Sequence, residues 1–161
     1  MNITRNSIGT NPVTVEDARR HLRLGDDSFD ELLASLLDAA IDHAENITGL
    51  ILREGSQYTV VAPYATSVRT GLLPIRSVAV RVDERIESAY ALTGSTITLP
   101  ERYDARVVEI EVETGFDVFP GAIRAAILLI VGRLFANPND GVENLPSASL
   151  NLLKNYRIWD Q

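Results

Sequence analysis

The sequence predicts an α+β fold, mainly α: a helical bundle carrying a small inserted antiparallel β-sheet. Three observations predict it. Apolar residues recur at spacings of three and four from Phe29 to Ile47, the signature of a helix with one buried face. Between Gln57 and Thr114 the period changes to two. Residues Gly121 to Ala136 are then apolar nearly all round, with Arg124 and Arg133 as their only charges, and a helix apolar on every face must be covered on every face.

Residues 1–13 are polar and patternless and read as a flexible arm. Pro12 and Thr14 mark a helix start. Thr14 with Asp17 makes a near capping box, and Glu16 to Arg20 is a favourable i,i+4 pair. This first helix is expected to run to about Leu24 and to stop at Gly25. Ser28 and Glu31 form a second capping box. The stripe Phe29, Leu32, Leu33, Leu36, Leu37, Ala40, Ile41, Ala44 and Ile47 follows, and Gly49 ends it. Of this stripe, Leu32, Leu36, Leu37 and Ile41 are expected to pack on Ile127, Leu128, Ile130 and Val131 of the late apolar helix.

In the β insert, spanning 57–114, Val78, Val80 and Val82 alternate with Ala79 and Arg81, and Val108, Ile110 and Val112 alternate with Glu109, Glu111 and Glu113. Such alternation is that of half-buried antiparallel strands. Ala89–Leu92 and Thr96–Leu99 flank Thr93-Gly94-Ser95, a hairpin signal. Arg102 and Arg106 are candidate partners for the glutamate row. Pro120 opens the helix at 120–136, Asn137–Gly141 breaks the chain, and a short helix with a C-terminal tail occupies 147–161. The first two helices (14–49) need the late apolar helix as partner, so the whole chain, 1–161, reads as a single domain.

Composition narrows function mainly by exclusion. The 161 residues include 15 basic and 22 acidic side chains, a net charge of −7. A sequence-independent nucleic-acid binder needs a basic surface to neutralise phosphates, which this chain lacks. Without cysteine there are no disulfides, thiolate metal sites or cysteine nucleophiles. The single Lys is Lys154, so lysine-centred phosphate loops are excluded elsewhere. The N-terminus has no apolar run of the signal-peptide kind, and no segment approaches the ~20 apolar residues of a membrane span. His21 and His43 lack metal-ligand spacing and read as surface or helix-edge residues. The acidic run Asp26–Glu31 fails the EF-hand pattern, with Glu31 where glycine belongs and Leu37 at the last ligand position. Asp83, Glu84 and Glu87 alternate with Arg81 and Arg85 as a solvated, salt-laced turn. No catalytic constellation, cofactor motif or metal site is expected.

The informative feature is an order of segments. Pro12-Val-Thr-Val-Glu-Asp-Ala-Arg-Arg-His-Leu-Arg-Leu24 leads to Asp26-Asp27. Leu32 to Gly49 follows, with Ala39-Ala40 at its middle and Ala44-Glu-Asn-Ile-Thr-Gly49 at its end. Leu73-Pro-Ile-Arg-Ser-Val78 comes later, and Val118-Phe-Pro-Gly-Ala-Ile-Arg-Ala-Ala-Ile-Leu-Leu-Ile-Val131 precedes Asn137. Over roughly residues 12–157 this order resembles the head–tail connector (adaptor) proteins of tailed bacteriophages and prophages.

The resemblance implies a structural virion protein, not an enzyme and without cofactors. It implies self-assembly into a ring, commonly of twelve copies, in the virion neck and put together in the host cytoplasm. Its implied partners are the portal and a tail or head-completion protein, with DNA passing through the channel without tight binding and no membrane involved. An acidic chain suits a wall that must not hold DNA. The helix 121–136 is more apolar than one domain readily covers, which makes Arg124, Leu128, Arg133 and Phe135 candidate subunit contacts. Lys154, Tyr156, Arg157, Ile158 and Trp159 join cations to large amphipathic groups after the last helix and are candidates for the portal interface. The alternative is a small intracellular oligomeric scaffold or regulatory module, also without catalysis.

Overall fold

The computed structural model describes residues 1–63, 65–100, 107–137 and 147–158. Their elements run β1 (Asn2–Ser7), α1 (Val15–Leu22), α2 (Asp30–Thr48), β2 (Ser56–Pro63), β3 (Ser67–Arg69), β4 (Ile75–Val82), β5 (Arg85–Glu87), β6 (Ala91–Thr93), β7 (Thr96–Thr98), β8 (Val107–Thr114), α3 (Gly121–Ala136) and α4 (Ser147–Lys154). The expectation of a mainly α fold is wrong: 36% of the described residues are helical and 31% lie in strands, in two antiparallel sheets. Four of the strands have three residues each, too few for a period-two pattern to register. Contacts divide the chain into two compact units, one of residues 1–10 and 53–117, the other of residues 11–52 and 118–161.

The first unit is built on a five-stranded sheet in the order β1-β2-β8-β4-β5. Central β8 alternates as the sequence predicts: Val108, Ile110, Val112 and Thr114 are buried, while Glu109, Glu111 and Glu113 share the other face. Register carries this alternation across the sheet, so that Val60, Ile110 and Val80 form one buried row. A second sheet, β3-β7-β6, contains the expected hairpin: Thr93 pairs with Thr96 across a two-residue turn, and Gly94 supplies the positive φ (58°) that such a turn requires.

Residues 2–7, assigned above to a flexible arm, form the edge strand β1, paired with β2 from Asn2↔Val61 to Ser7↔Gln57. All six are exposed, so they carry no burial pattern by which sequence could reveal a strand. The strand is pinned beyond its end. Gly9 N–H donates to Ser56 Oγ (2.9 Å), and Thr10 and Glu54 exchange backbone bonds of 2.8 and 3.0 Å.

The second unit holds the four helices. Thr14 and Asp17 form a full capping box on α1. The helix stops at Leu22 rather than near Gly25, because Arg23 takes the left-handed conformation (φ 59°) and Leu24 N–H closes back on Arg19 O (3.0 Å). The expected Ser28–Glu31 box is absent. Phe29 is the cap residue of α2, and Ser28 N–H instead donates to Asp26 Oδ1 (3.2 Å). Gly49 ends α2 as expected, at φ 73°.

The α2 stripe is rotated from the expected one. Leu33, Leu37, Ala40, Ile41 and Ala44 are fully buried, whereas Leu36 is half-buried and Leu32 is 47% exposed. Helix α3 lies against α2 and buries Ile123, Ala126, Ile127, Ile130 and Val131, with Leu128 half-buried. Gly132 gives His21 and Leu22 of α1 room to approach within 3.7–3.8 Å of the position a Cβ would occupy.

Candidate functional site

Among the described residues no group of three or more His, Cys, Asp or Glu side chains is placed to hold a metal ion, and no helix is long and apolar enough to cross a membrane. Two clefts lie on the five-stranded sheet. One, of about 320 Å³, includes Asn6, Gln57, Ser77, Glu111 and Glu113 in its lining. The other, of about 450 Å³, is lined by Arg81, Asp83, Glu84, Val107 and Glu109. In the first of these the Ser77 hydroxyl lies beside the Glu113 carboxylate.

On the sheet's polar face the glutamate row finds its cations on β4. Arg81 Nη1 donates to Glu111 Oε1 at 2.6 Å, and this hydrogen bond holds the guanidinium more firmly protonated than usual. Arg76 lies 3.9 Å from Glu113, which also accepts from Ser77 Oγ at 3.3 Å. Arg102 and Arg106, named above as candidate partners, lie outside the described residues. The β4 partners were missed because cross-strand register cannot be read from one strand alone.

The candidate subunit-contact residues sit on α3. Arg124 is exposed and reaches Asp17 Oδ2 at 3.0 Å, tying α3 to the first turn of α1. Arg133 is exposed, and its backbone carbonyl accepts from the Asn137 side chain at 3.1 Å. Phe135 is half-buried and meets Phe29 edge to face at 5.5 Å. Phe29 is itself 44% exposed, so this aromatic pair and Leu32 leave an apolar patch on the surface of the helical unit. The patch was not foreseen, because both Phe29 and Leu32 lie at core spacing along α2.

The candidate portal-facing residues are divided. Lys154 ends α4 and is exposed, as is Arg157, while Tyr156 is half-buried. Ile158 turns back onto α2: its N–H donates to Thr48 O at 2.8 Å, and its side chain lies 3.7 Å from where a Cβ on Gly49 would stand. Trp159 lies outside the described residues.

Residues 12–151 match the model of the phage gp6-like head–tail connector proteins, and the chain belongs to that family. Its fold is shared by solved chains from gene transfer agent (GTA) particles. One, in the neck of an empty particle computed with C6 symmetry, gives a TM-score of 0.77 at 22% identity over 100% of this chain and 97% of that one. Another, in the virion of the native particle, gives 0.79 at 20% identity over the same shares. A third, in the native neck computed with C12 symmetry, gives 0.73 at 21% identity over 98% and 97%. No curated protein matches the chain.

Proposed function

We propose that this protein is a structural connector that forms a ring in the neck of a phage-like particle, beneath the portal, and continues the channel through which DNA leaves. The observation that carries this reading is the family match over residues 12–151, joined to a fold shared along nearly the whole length of chains from particle necks. The symmetric necks in which those chains sit support a ring, of twelve copies by analogy with the C12 neck. The net charge of −7 suits a wall that DNA must slide past. The protein acts by assembly and needs no cofactor. Arg124, Leu128, Arg133 and Phe135 belong to its subunit contacts, and residues 154–159 to its contact with the portal. A tail or head-completion protein takes the opposite rim.

The deciding experiment is the mass of the purified protein, alone and with a portal ring, followed by electron microscopy of the product. A symmetric ring seated on the portal is expected. A chain that stays monomeric in both conditions at every concentration overturns the reading.

A further inference from the structure

We draw no further inference here: the strongest candidate, the outer edge of β1, where Ile3 (39% exposed) carries the buried Val60–Ile110–Val80 row of the five-stranded sheet out to solvent, carries nothing because nothing in the structure shows what covers it.

Discussion

Asp17 Oδ2 accepts from the Thr14 N–H at 3.1 Å and from Arg124 Nη1 at 3.0 Å, so one carboxylate both caps α1 and ties it to α3. The Thr14 backbone bond is the chief reason its pKa lies below the usual carboxylate value, and Arg124 adds to the effect. A depressed carboxylate contributes stability that is fully present above its unfolded pKa and is lost as pH falls through the folded one. Asp17→Ala should cost about 1–2 kcal/mol at neutral pH, most of it from the cap and less from the half-exposed ion pair. Denaturant midpoints should show the difference between the two proteins at pH 7 and its shrinkage below about pH 4.

Gly9 sits where no side chain fits. A Cβ there would stand 2.0 Å from Glu54 O and 2.7 Å from Ser56 N, both backbone atoms. Gly9→Ala must displace the crossing that holds the end of β1. Hydrogen exchange should then quicken in residues 2–7 while the paired core of β8 keeps its protection. Unchanged exchange in β1 would show that the strand is not held through this crossing.

The α2 stripe offers a direct comparison of neighbours. Leu33 and Leu37 are 0% and 1% exposed, and truncating either to alanine should cost about 2–5 kcal/mol. Leu32→Ala, at 47% exposure, should stay within about 1 kcal/mol in the monomer. Thermal unfolding of the three variants decides whether the buried face is Leu33–Leu37 or the Leu32–Leu36 face that spacing alone would equally allow.

How legible each part was depends on where its information resides. Helix α3 was plain because its apolar run needs no partner to be recognised, and β8 was plain because one buried face imposes a period of two over eight residues. Strand β1 was invisible because the edge pairing that makes it a strand is backbone chemistry, independent of its exposed side chains. The capping box at Thr14 was local and could be read, whereas Asp26 took Ser28 into a turn that competes with the box expected there. The candidate contact residues were chosen by type, as cations and large apolar or aromatic groups. Their actual neighbours, Asp17 for Arg124 and Phe29 for Phe135, lie 107 and 106 positions away and required the fold.

If the protein lines a DNA channel as proposed, its acidic surface should let DNA pass. At physiological salt the isolated protein should bind duplex DNA only weakly, since a surface of net charge −7 neutralises few phosphates. Fluorescence anisotropy with a labelled duplex, repeated across a salt series, should show a shallow dependence. Tight binding that weakens steeply with salt would contradict the passive channel.

The C-terminal tail is tested best by two truncations, because Ile158 already has a structural task. Its N–H satisfies Thr48 O at 2.8 Å, one of the carbonyls that the end of α2 leaves without a helical partner. Its side chain closes over Gly49, whose φ of 73° turns the chain out of the helix. Deleting residues 155–161 should therefore lower stability by about 1–3 kcal/mol, as a buried carbonyl loses its donor, while the core of α2 and α3 stays folded. Deleting only residues 159–161 spares the Ile158 bond and should leave melting unchanged. If residues 154–159 reach the portal as proposed, the shorter deletion should reduce capture by an immobilised portal ring without altering the fold. Equal capture by the parent and both truncated chains would remove the tail from the interface and leave it the task of closing α2.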